Sequence, residues 1–253
     1  MNHRPLGDHD RRMTESMERP TLARSDSSGR NRRAGWLVPA ALIALSAVPV
    51  IAGSTRLGQL AGGGPITQDS VRYFATPAPV VAHIISVTLF SVLGALQFAH
   101  GLRRRRPAWH RAAGRLVVPS GIVSAFTGLW MTLFYPHLAN DSALLVGLRL
   151  VFGTLMIVSL VLGFAAIRRR DVARHRAWMT RGYAIGMGAG TQLLTVGPWM
   201  ALAGEPGPLP RALLMGAGWV INLVVAEWAV RRASGSVTSR RPTARVGVSS
   251  RPR

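Results

Sequence analysis

The chain has 253 residues, 31 basic and 10 acidic, and a net charge of +21 at pH 7, yet 48% of it is hydrophobic. The positive excess points to nucleic acid or an anionic surface, whereas a mean hydropathy of +0.22 with 16% charged residues points to a bilayer as solvent. There is no Cys and every basic residue is Arg, which excludes disulfides, thiolate nucleophiles, iron–sulfur clusters, Cys-ligated zinc, Schiff-base chemistry and a P-loop lysine.

Residues 1–33 hold eight Arg and five acidic residues with almost no aliphatic side chains. Such a stretch buries too little apolar surface to offset its ordering entropy, so a disordered basic cytoplasmic tail is expected. Six apolar runs follow, at 34–54, 79–102, 113–136, 143–167, 181–203 and 209–230. Each is near the ~20 residues that cross a ~30 Å hydrocarbon core. The expectation is an all-α, polytopic membrane bundle of six transmembrane helices over 34–230, with a second disordered basic tail over 231–253. Basic residues ahead of the first run also fit a signal peptide, but the leader is long for one, and an uncleaved first helix is expected.

The Arg residues set the orientation. The first tail carries eight, the segment 103–115 six, the segment 168–181 six and the last tail seven, whereas Arg56, Arg72 and Arg211 fall on the other side. Positively charged loops stay in the cytoplasm during insertion, so both termini are expected inside, in the bacterial plasma membrane. Arg149 stands apart, about 9 Å inside the outer end of the fourth run. Asp141 and Glu205 are its candidate partners, and a snorkelling guanidinium paired in an outer loop is the simplest account.

The two cytoplasmic segments resemble each other. Each has a basic run, then His-Arg-Ala (His110-Arg111-Ala112 and His175-Arg176-Ala177), then Arg115 or Arg181 at the start of the returning helix. His110 and His175 are 65 positions apart. This suggests two parallel hairpins related by a pseudo-twofold axis along the membrane normal. Arg111, Arg115 and Arg181 are expected to bond helix-end carbonyls or acidic partners.

Histidine is the route left to haem or a transition metal. The threading puts His83 and His137 toward the outer face and His100, His110 and His175 toward the inner one, two imidazoles or more at each level. Bis-His haem ligation, with Arg149 meeting propionates, is therefore a reading to weigh against interfacial hydrogen bonding. Gln192, Thr191, Thr195 and Asn222 fall near mid-membrane, where they form interhelical bonds or line a small polar cavity. Glu227 is expected to pair with Arg231, four residues on. Gly182, Gly186 and Gly190, like Ser120, Ser124 and Gly128, present smooth helix stripes suited to packing within the bundle or across a homo-oligomer. No metal-ligand cluster, phosphate loop or catalytic triad is recognisable, so no catalytic residue is assigned.

His83, then His110-Arg111-x-x-Gly114-Arg115, and later His175-Arg176-x-Trp178-Met179-x-Arg181-x-Tyr183, together resemble the bacterial predicted-membrane-protein family called domain of unknown function 2306, over roughly 80–195. The resemblance implies the membrane topology and brings no established activity. Similar members often carry an Arg where Gln192 stands here. The function expected is thus a structural, lipid-interacting or small-solute-handling helix bundle. Its Arg- and Trp-bearing loops would meet anionic headgroups. The alternatives are a haem or electron-transfer protein and a small transporter or channel. Neither tail shows a folded reading element, which argues against nucleic acid.

Overall fold

The computed structural model describes residues 23–67, 70–138 and 140–238. Among the described residues there are nine helices and no strand, so the fold is all-α as expected. Helix α1 (Ala23–Gly62) begins inside the stretch read as tail. The remainder of both expected tails, 1–22 and 239–253, lies outside the described residues. Short α2 (Val71–Ala75) precedes α3 (Pro77–Gln97), whose first-turn proline gives up only a donor that the helix start leaves unused.

The second apolar run does not continue to 102. Ala99 is extended at ψ 91°, so α3 stops at Gln97 and a separate α4 (His100–Arg105) carries the basic run. Pro107 then opens α5 (Pro107–Phe134), which places His110, Arg111, Gly114 and Arg115 on the first turns of a helix rather than in a loop. The Ser142 hydroxyl caps α6 (Ala143–Arg168) by accepting the Leu145 N–H at 3.2 Å. The return to α7 (Val172–Gly186) takes three residues, with Arg170 left-handed at φ 60° and the Asp171 carboxylate accepting the Arg174 N–H at 2.9 Å.

The fifth expected crossing is divided. α7 ends at Gly186 and α8 (Gly188–Ala203) begins two residues later, with Met187 between them at ψ 2°. Close packing from other helices accompanies the break. A Cβ on Gly186 would press on the Phe90 ring, one on Gly188 would overlap the Trp219 indole, and one on Gly190 would overlap the Leu45 carbonyl oxygen. The glycine stripe therefore faces the interior of the bundle. The chain ends its described part with α9 (Pro208–Thr238). Within α1, α3, α5, α6 and α9, the segments Gly35–Gly62, Pro77–Gln97, Pro107–Phe134, Ala143–Arg168 and Pro208–Ser234 are each long and apolar enough to cross a membrane.

The helices close on one another. α3 packs between α1 and α5, α5 against α6, α6 against α7, α9 across α6, α7 and α8, and α8 against α1. Both expected hairpins, α3 with α5 and α6 with α7, are packed pairs, though α4 fills the first connection and a tight turn makes the second. At the centre lie Phe90, Met156, Leu160 and Tyr183. Two glycines make room for them: a Cβ on Gly94 would overlap the Tyr183 ring, and one on Gly121 would come within 2.7 Å of both Phe90 and Leu160. Tyr183 satisfies its buried hydroxyl by donating to the Ser91 carbonyl at 2.8 Å.

Candidate functional site

A cavity of about 330 Å³ opens between α3, α5, α6, α7, α8 and α9. It starts among connecting segments at the Arg-poor end, at Arg72, Tyr73, Pro136, His137 and Asp141, and passes His83 and Arg149. Its far wall is Met156, Gly186, Gln192 and Trp219. Met156 lies about 20 Å along α6 from Ala143 at 1.5 Å per residue, so the space reaches mid-helix depth. Small residues shape the wall, including Ser124 and Gly128 of the α5 stripe together with Gly153 and Gly186.

His83, His137 and Arg149, which the sequence reading placed toward the same end of the bundle, line one cavity. His83 Nδ1 lies 2.9 Å from the Ser124 carbonyl oxygen and 3.2 Å from the Thr127 hydroxyl. A carbonyl only accepts, so Nδ1 holds the ring proton and Nε2 is left as a bare acceptor. His137 is tied locally, with Nε2 3.1 Å from the Thr132 carbonyl oxygen. Arg149 donates from both Nη atoms to Asp141, at 3.1 and 3.2 Å, which makes Asp141 rather than Glu205 its loop partner and leaves Glu205 accepting instead from the Asn140 amide at 2.7 Å. Burial alone would raise the Asp141 carboxyl, but its bonds and charge interaction with Arg149 outweigh this and hold it below the usual carboxylate range. The guanidinium expected to meet haem propionates is therefore already engaged.

Arg72, Tyr73 and Tyr135 form the rest of the mouth, and nothing in the sequence pattern marked them. Arg72 donates to the Pro136 carbonyl at 3.0 Å and to the Tyr73 hydroxyl at 2.9 Å, while its Nε is buried without an acceptor. Both Arg72 and Arg56 lie against the Tyr73 ring, 4.9 and 5.0 Å from its centroid. The Tyr135 hydroxyl donates to the Thr76 carbonyl at 2.6 Å, tying the end of α5 to the start of α3.

The polar groups expected near mid-membrane divide. Asn222 donates to the Ala184 carbonyl at 3.0 Å and accepts from Thr191 at 2.7 Å, outside the cavity lining. Gln192 lines the cavity, yet its amide donates to the Met215 carbonyl at 3.1 Å, and Thr195 donates to the Leu214 carbonyl at 2.8 Å. These bonds hold α7 and α8 to α9.

At the Arg-rich end the second sequence motif acts as a staple. His175 Nδ1 lies 2.8 Å from the Gly163 carbonyl oxygen, and a Cβ on that glycine would come within 2.8 Å of the Met179 sulfur. Arg181 lies 5.0 Å from the Trp178 ring centroid and donates twice to Glu227, at 2.8 and 3.0 Å. Glu227 also accepts from Arg231 at 3.3 Å, so the expected local pair is the lesser part of a three-residue cluster. The first motif is built differently: His110 Nδ1 is buried without a partner, and Arg111 and Arg115 are exposed. Arg103 is held below the ordinary guanidinium range by burial and then by Arg176, which brings the two basic segments together. His100 is exposed beside the Phe98 carbonyl. Among the described residues no three His, Asp or Glu side chains gather as metal ligands.

No curated protein and no solved structure matches the chain. The family model described as predicted membrane protein DUF2306 matches residues 80–230, extending beyond the motif-bearing stretch to take in α9. That match covers more than half of the sequence, from early in the first hairpin through the helix that carries Asn222 and Glu227, and the chain belongs to this family.

Proposed function

We propose that this membrane protein crosses the bacterial plasma membrane six times with both termini in the cytoplasm and accommodates a small solute in the cavity entered from the outer face. The observation that carries the reading is the joint lining: His83, the Arg149–Asp141 pair and Gln192 border one space reaching mid-helix depth. Solute sites in helix bundles also favour interrupted helices, and α7 and α8 are interrupted beside this cavity. The Arg distribution supports the orientation, with α7 and α8 together making the fifth crossing.

The Arg-rich end has a separate role in this reading. Arg103, Arg104, Arg105 and Arg106, with Arg111 and Arg115, meet anionic headgroups while the Arg181–Glu227 staple holds the helices together. Transport or channel activity is the natural extension of a solute cavity. The haem alternative gains His83 and His137 in one space and loses Arg149 as a propionate partner.

The test uses the absence of Cys. A thiol introduced as Gly128→Cys lies beside His83, where a Cβ makes ordinary contact at 3.4 Å. A membrane-impermeant maleimide added to intact cells should label it, and should not label Arg104→Cys until the membrane is opened. Labelling of Arg104→Cys from outside would reverse the orientation. No labelling of Gly128→Cys by that maleimide or by a small neutral thiol reagent would remove the cavity reading.

A further inference from the structure

We propose that the cavity takes a small organic anion of the monocarboxylate class, its charged group at Arg72 and its apolar body directed inward along the apolar lining that begins at Leu129 and Met131. This rests on the outward-open cavity proposed above and names what enters it.

The argument starts from charge. The charged side chains of the lining are Arg72, Arg149 and Asp141. Arg149 and Asp141 are joined through both guanidinium nitrogens and both carboxylate oxygens, so they cancel. Arg72 has no carboxylate partner among the described residues; its bonds go to a backbone carbonyl and a phenol, both neutral. Arg56, 5.0 Å from the same Tyr73 ring, bonds the neutral Gln59 amide oxygen and no carboxylate among the described residues. Glu205 lies outside the lining and is occupied by Asn140. Among the described residues the mouth therefore carries a guanidinium with no carboxylate partner, where low-dielectric walls strengthen its field.

The shape then narrows the anion. Beyond Arg72 most of the lining is apolar or aromatic, and Trp219 is fixed there by stacking on Phe152 at 4.9 Å. A strongly hydrated inorganic ion gains nothing from such a floor, whereas a hydrocarbon body does. A carboxylate matches the planar donor fork of Arg. His83 Nε2, a bare acceptor on the wall, offers a bond to a hydroxyl on the same molecule.

The experiment compares rates of thiol modification in the otherwise Cys-free chain, in intact cells. Gly128→Cys is treated with anionic ethylsulfonate, cationic trimethylammonium-ethyl and neutral methyl methanethiosulfonates, each rate being divided by that at Gly207→Cys in an exposed connection. The anionic reagent should be favoured over the cationic one by about tenfold, the order of magnitude of one unpaired charge within roughly 10 Å at intermediate dielectric. Arg72→Lys should keep that preference and Arg72→Gln should lose it. Benzoate should slow the neutral reagent, and benzamide should not. Ser124→Cys, a near-isosteric change in the same wall, repeats the measurement if Gly128→Cys is poorly made. Reaction with the neutral reagent but no anionic preference would overturn the anion proposal and leave the cavity standing, as would a preference that survives Arg72→Gln or equal protection by benzamide. No reaction with any reagent at either position would remove both.

Discussion

Asp141→Asn removes the carboxylate that Arg149 meets among the described residues, while keeping the shape of the side chain. Asp141 is 3% exposed and Arg149 25% exposed, so the pair is mostly shielded and the remaining guanidinium is not well placed to rehydrate. Losing one partner of a buried ion pair costs about 3–5 kcal/mol, and allowing for the partial exposure of Arg149 brings this to about 2–3 kcal/mol. For a chain of this length each kcal/mol moves the melting midpoint by about 2–4 °C, so a fall of about 4–12 °C is expected. Thermal unfolding in detergent, followed by the recovery of monodisperse protein on size exclusion, reads it. The double variant Asp141→Asn/Arg149→Met should be more stable than the sum of the two single changes predicts, with a coupling of about 1 kcal/mol or more. The pH dependence has a definite sign. The folded carboxyl is held below its unfolded value of about 3.9, so its contribution is fully present above that value and is lost as pH falls through the lowered folded one. Wild type should accordingly lose more stability than Asp141→Asn on acidification below about pH 4. A midpoint for Asp141→Asn within about 1 °C of wild type, with additive single changes, would show that the pair does not hold this end together.

Three further outcomes follow from the packing and the staple. Gly121→Val should destabilise the bundle by about 1–3 kcal/mol, seen as a lower midpoint in the same assay, because Phe90 and Leu160 occupy the space that the side chain needs. Arg181→Ala should reduce abundance and thermal stability, whereas Arg115→Ala, at an exposed position without a partner, should leave both near wild type; equal losses would refute the staple. Purified protein expressed with a haem precursor should show no Soret band, since His83 Nδ1 and His137 Nε2 are each held at a backbone carbonyl and Arg149 is engaged by Asp141. A band lost in His83→Ala would favour the haem alternative instead.

Much of the fold could be read from continuous apolarity, because a lipid-facing helix must be apolar along its whole length whatever it packs against. The division of the fifth apolar run into α7 and α8 could not. Gly186, Gly188 and Gly190 look like any small-residue stripe, and the neighbours that fill the space beside them, Phe90, Trp219 and Leu45, come from three other helices. The site was legible in pieces for a similar reason. Arg149 drew attention because a charge in hydrocarbon requires a partner, and Asp141 was within reach in the chain. Arg72 gave no such signal, since it lies in a five-residue helix and its distinction is the lack of a carboxylate partner among the described residues. The paired His-Arg-Ala motifs suggested equal roles, yet His175 finds the Gly163 carbonyl while His110 Nδ1 finds nothing. That difference depends on how α6 ends above α7, which no local pattern encodes.

The central claim is that His83 and Arg149 border a space open to the outer aqueous phase. The most direct measurement is the rate at which Gly128→Cys in intact cells reacts with an impermeant thiol reagent. Reaction from outside at a rate within roughly a hundredfold of the exposed Gly207→Cys control, and slowed by Met156→Trp, which narrows the far wall, is the predicted result. A thiol that stays unmodified in intact cells and reacts only after detergent unfolding would contradict it.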